Sequence, residues 1–217
     1  LDEGVQVLST GINITNAGQI SGTTTAIYYD TTLDGSLTNT GTITGENTES
    51  QAHGVYISGD LDGTITNRGS ITARVEAENT HATAYGIYVS GDVGSTGVIN
   101  NSGVIAAEII TNTTYGDTAY GIYISGDMDG QITNSGQIRT SFVDQDSAEG
   151  NQYGIYVSGG MTGGSISNSG SIQQSYEGIS SAEAYGIYVS STMDAASITN
   201  RGLIAYNADT FWSDVTF

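Results

Sequence analysis

The chain has 217 residues, a formal net charge of −19, 31 glycines, and neither proline nor cysteine. The missing cysteines exclude disulfides, thiol chemistry and cysteine-ligated zinc, and the missing basic patch excludes nucleic acid as a partner. No apolar run of roughly 18 residues is available to cross a membrane as a helix.

The chain opens at Leu1 without a signal-peptide pattern, which leads us to expect a processed form or an excised fragment. Residues 1–25 contain INITNAG, from Ile12 to Gly18, and read as an incomplete first coil. From Ala26 to Gly41 a worn unit follows, AIYYDTTLDGSLTNTG. The motif then repeats as HGVYISGDLDGTITNRG from His53, YGIYVSGDVGSTGVINNSG from Tyr85 and YGIYISGDMDGQITNSG from Tyr120. Two more copies follow, YGIYVSGGMTGGSISNSG from Tyr153 and YGIYVSSTMDAASITNRG from Tyr185. Residues 26–202 are therefore expected to form regular coils, and 203–217, with Trp212, a C-terminal strand or cap, all within one domain spanning 1–217.

The Asn of each N-x-G sets the phase: Asn16, Asn39, Asn67, Asn101, Asn134, Asn168 and Asn200, at steps of 23, 28, 34, 33, 34 and 32 residues. Unequal steps suit coils that share a rigid part and vary in one loop. Apolar residues alternate with period two, as Ile71, Ala73, Val75 and Ala77 do, which marks strands. Each unit offers three short strands between Gly, Asp and Asn turns. Such a unit buries its apolar face only by stacking on its neighbours. The expected fold is all-β: a single-stranded, right-handed parallel β-helix of about seven coils of roughly 23–34 residues. A propeller or sandwich of such units is the weaker fit. The absence of proline suits stacked strands, each of which needs its N–H in a ladder.

Stacking turns each repeated residue into a column. The Asn column is expected to be an internal hydrogen-bonded ladder at a corner. Tyr56, Tyr88, Tyr123, Tyr156 and Tyr188 fall opposite the Ile and Val face and should form an outward aromatic stripe. That stripe either stabilises neighbouring coils or contacts glycans or another rod. A second column holds Tyr85, Tyr120, Tyr153 and Tyr185, with His53 in the same phase. Leu61, Val93, Met128, Met161 and Met193 are expected as inward plugs. Asp60, Asp62, Asp127 and Asp129 are turn formers; calcium bridging is their functional alternative, although full loop signatures are absent. Two-carboxylate glycoside chemistry is conceivable at the same pairs, Asp60 with Asp62 or Asp127 with Asp129. They recur with the repeat, whereas a catalytic site breaks a repeat at one place. The chain is thus expected not to be an enzyme and to need no cofactor unless calcium binds.

The elements G-I-Y-V-S, G-x-I-T-N-S-G and x-I-x-A resemble the β-helical passenger regions of bacterial autotransporters and large surface adhesins. The resemblance covers nearly the whole chain. It implies an extracellular or outer-surface rod of a Gram-negative bacterium, used in adhesion, aggregation, biofilm or surface coats. No stretch long enough for an outer-membrane barrel follows the repeats. The expected function is structural: a protein that assembles with itself, end to end, into a filament or coat. The alternative is an adhesin passenger that binds glycans or other cells through the Tyr stripe. A polysaccharide-degrading β-helix enzyme is the third reading.

Overall fold

The structure, a computed structural model, describes residues 3–78, 80–112, 116–144, 150–177 and 182–209. The chain winds as a parallel β-solenoid whose long sides are three seven-stranded sheets. The first sheet runs from Glu3–Val7 through Thr83–Val89 to Ala182–Val189. The second runs from Asn13–Asn16 through Val98–Asn101 to Ser197–Asn200, and the third from Gln19–Gly22 through Val104–Thr111 to Leu203–Asp209. Each strand pairs in parallel with its copies one coil before and one coil after, in the register the repeats dictate. Tyr85 faces His53 and Tyr120, Ile99 faces Ile65 and Ile132, and Ile105 faces Ile71 and Ile138.

The lumen is a stack of aliphatic side chains. Ile87, Val89, Ile99 and Ile105 of one coil are fully buried, and their copies in the inner coils repeat that burial, whereas Ile14, Ile20, Ile187 and Val189 in the end coils are only partly buried. Leu33, Leu61, Val93 and Met128 close the corner between the first and second sheets by single parallel bridges, and Met161 continues this line. Met193, in the last described coil, has no coil beyond it among the described residues and is 45% exposed, so it is not the buried plug expected from its phase.

A second core was not expected. From the third coil onward, the end of each third-sheet strand packs against the start of the next first-sheet strand. This makes a thin wing filled by Ala73, Val75, Ala84, Ala107 and Ile109, then by Phe142 and Tyr176. The small side chains are followed along the wing by an aromatic pair, Phe142 and Tyr176, with ring centroids 6.1 Å apart.

The first coil needs correction too. Residues 1–25 are not an incomplete coil, because Glu3–Val7, Asn13–Asn16 and Gln19–Gly22 contribute one strand to each sheet. That coil is short because its third strand stops after four residues and has no wing. The expected C-terminal cap is, in its described part, an ordinary seventh strand, Leu203–Asp209; Trp212 lies outside the described residues.

Candidate functional site

The polar columns are the features that function could use. All seven Asn side chains form one ladder. Each Nδ2 donates to the Oδ1 of the next Asn at 2.7–2.8 Å, from Asn16 to Asn200 without a gap. Each of these amides also donates to a backbone carbonyl of the next coil, as Asn134 does to Ser171 at 3.1 Å. The side chains from Asn39 to Asn168 are 2% exposed or less. A buried amide with donor and acceptor both satisfied is stable, so the ladder sets the register of the coils.

Both Tyr columns face outward on the first sheet. Strict alternation would send Tyr85 inward with Ile87. The chain avoids this at Gly86, where two consecutive residues, Gly86 and Ile87, are both buried and the pattern skips one step. A β-carbon at Gly86 would lie 2.5 Å from the Gly121 carbonyl oxygen and 2.6 Å from Ile105, so only glycine fits this inner corner. The break brings Tyr85 beside Tyr88, ring centroids 4.8 Å apart.

Along the rod, the inner rings from His53 to Tyr185 stack at 5.1–5.2 Å with interplanar angles of 5–11°. The outer rings, Tyr28, Tyr56, Tyr88, Tyr123, Tyr156 and Tyr188, step by 4.9–5.2 Å, with one turn of 46° between Tyr123 and Tyr156. The stripe expected at Tyr56, Tyr88, Tyr123, Tyr156 and Tyr188 is outward but half-buried, and it is double. Ring faces within the stacked columns cover one another, which leaves edges to solvent. Burial pushes the Tyr85 and Tyr153 phenols up to about 12, and Tyr120 higher still, so all three stay protonated donors at neutral pH.

His53 closes the inner column toward the N-terminus. It is 4% exposed, stacks on Tyr85 and shares a 3.1 Å hydrogen bond between Nδ1 and the Thr25 hydroxyl. Burial holds its pKa at about 4 against the usual 6.5. The unfolded chain therefore takes up a proton near pH 6.5, and the folded chain does so only near 4. Stability from the neutral imidazole is complete above about 6.5 and falls as the pH drops through that window, by roughly 3 kcal/mol in all. Urea unfolding of the wild type and of His53→Gln at both ends of the window should show a flatter pH dependence in the variant. An equal slope would rule out His53 as the source.

The acidic corner has a structural use. Asp60, Asp92 and Asp127 each accept, through Oδ1, a backbone N–H of the next coil, from Asp92, Asp127 and Gly160, at 2.7–2.9 Å. Asp62 and Asp129 stand beside them in the turns, and the N–H of Asp129 donates to the Val93 carbonyl. Among the described residues no group of three or more His, Asp or Glu side chains is gathered as a metal site. EDTA is expected to move the melting temperature by less than about 2 °C; a larger drop would assign a cation to this corner.

The sequence reading missed a polar set inside the wing. The Asp117 carboxylate accepts the Ala82 N–H at 2.7 Å, Thr140 donates to Gln152 at 2.8 Å, and Gln152 donates to the Ser175 carbonyl at 3.0 Å. The available signal was a broken column: Gln152 stands in register with Ala119, and Thr140 with Ala107.

A family model described as the BigA third pectate lyase-like domain matches residues 3–213. No curated protein and no solved structure matches the chain. With the stacked sheets, the match makes this a β-helix repeat protein.

Proposed function

We propose a structural role for this chain, which belongs to the BigA third pectate lyase-like domain family: it is a rigid, non-catalytic β-solenoid segment of a bacterial surface protein. One observation carries the reading. The repeated polar side chains hold one coil to the next: the Asn amides and the Asp60, Asp92 and Asp127 carboxylates by hydrogen bonds, the Tyr rings by stacking. The arginines that ion-pair do so with nearby glutamates, Arg74 with Glu76 and Arg139 with Glu108, and the chain has no lysine to act as a base. An extracellular or outer-surface place on a Gram-negative cell belongs to the same reading, supported by the likeness of the repeat to passenger regions of surface adhesins.

A second reading, end-to-end association, is favoured by the last described coil. Ile198 and Ile204 are each 41% exposed and Met193 45%, on a rim whose parallel strands have no further partner among the described residues. Unpaired strand edges recruit strands, and head-to-tail contact between copies builds an open filament. Electron microscopy and sedimentation at rising concentration separate the two. Dispersed rods at every concentration support a segment within a longer stalk. Filaments with an axial repeat of roughly 34 Å, seven coils at the usual strand spacing, support self-assembly.

A further inference from the structure

We infer that the outward face of the first sheet is a binding surface for a neutral, extended polysaccharide laid along the rod axis. The first observation is the distribution of charge. In a chain of net charge −19, the second-sheet strands carry no Asp, Glu, Lys or Arg at all. The first-sheet strands carry only Glu3, the buried Asp117 and Glu183. Of the three long sheets, the third carries most of the charged side chains, among them Glu46, Arg74, Glu76, Glu108, Arg139 and Glu177.

The second observation is what fills this neutral face. In one coil it presents Thr83, Tyr85, Tyr88 and Ser90, all partly exposed, and the next coil repeats the set from Thr118 to Ser125. Ser58, Ser90, Ser125, Ser158 and Ser190 continue a row of hydroxyls on one side of the two rows of aromatic edges, and on the other side Thr83 and Thr118 stand in register with Gln51, Asn151 and Glu183.

The third is the step. Rings recur every 4.9–5.2 Å along both columns. An extended β-1,4-linked chain of pyranose units advances by nearly the same distance per sugar, with alternate sugars turned over, so each coil meets one sugar and every second sugar presents the same edge to the column. Because the ring faces are covered by stacking, recognition runs through phenol hydroxyls and ring edges.

Charge selects among occupants. The neighbouring corner carries Asp60, Asp92 and Asp127, which repel a polyuronate. A second copy, itself at −19, meets the same repulsion at low salt. A neutral chain meets neither. The inference adds a ligand to the proposed rod and holds whether or not its ends associate, so failure of one leaves the other standing.

The test is titration of the full chain with β-linked glucan oligosaccharides, from cellobiose to cellohexaose, and with polygalacturonate as the acidic control. Affinity should rise with each added sugar, and polygalacturonate should not bind. Tyr120→Phe with Tyr123→Phe keeps the stacked rings and removes two hydroxyls. It should weaken cellohexaose binding on the order of tenfold, at a few-fold per hydrogen bond, with the melting temperature nearly unchanged. Four outcomes would overturn the inference: no binding of cellohexaose, affinity independent of oligosaccharide length, equal binding of polygalacturonate, or an unaffected double variant. Lateral dimers that occlude the face, seen by sedimentation, would give it to a second copy instead and overturn it too.

Discussion

Asn134→Ala is expected to lower the melting temperature by roughly 10 °C. The Asn134 amide donates to Asn168 and to the Ser171 carbonyl, and its own oxygen accepts from Asn101. All three links cross between coils in a site from which solvent is excluded. Alanine leaves the Asn168 oxygen and the Ser171 carbonyl short of a donor, and the Asn101 amide short of one acceptor. Buried groups stranded in this way cost about 1–3 kcal/mol each, and the partial partners that remain bring the sum to roughly 3–4 kcal/mol. For a chain of this size that corresponds to several degrees per kcal/mol. Asn200→Ala should cost a third as much or less, because Asn200 is exposed and accepts only from Asn168 within the ladder. Calorimetry of both variants checks this. Equal losses, or none at Asn134, would remove the ladder from the account of stability.

The second large effect compares two glycines with the same local motif. Gly136→Ala is expected to destabilise by about 3 kcal/mol or more, or to prevent folding, whereas Gly18→Ala should be nearly neutral. A β-carbon at Gly136 would fall on the Gly103 carbonyl oxygen and lie 2.6 Å from the Ser102 carbonyl carbon, both backbone atoms of the preceding coil. The N–H of Gln137 donates to that Gly103 carbonyl at 2.8 Å, so the coil cannot retreat without losing a rung. Gly18 has no heavy atom within 4 Å of the same position, because no described coil precedes it. Urea unfolding of the two variants decides the matter, and equal destabilisation would place the cost in local backbone preference instead.

Much of this was legible from the repeats. Parallel in-register stacking turns equal sequence phase into spatial adjacency, so Asn67, Asn101 and Asn134 could be joined on paper and are joined in space. The outward setting of Tyr88 followed from its alternation with Ile87 and Val89. The placement of Tyr85 did not follow, because the step at Gly86 depends on how close the third sheet's Ile105 comes. The acidic turns read as turn formers with calcium bridging as the alternative; only the arrival of the next coil's N–H at Asp60 and Asp127 gave their carboxylates a partner. The wing was not legible, since it depends on two segments of different strands meeting face to face.

The sequence by itself determined the fold class, the pairing register and the identity of each column, because a repeat that cannot bury its own apolar face must stack on its copies. The tertiary structure decided which ring faces are covered, which glycines are crowded, why His53 stays neutral and where the uncharged face lies. Those properties come from distances between coils and between sheets, and they differ between positions that carry the same motif.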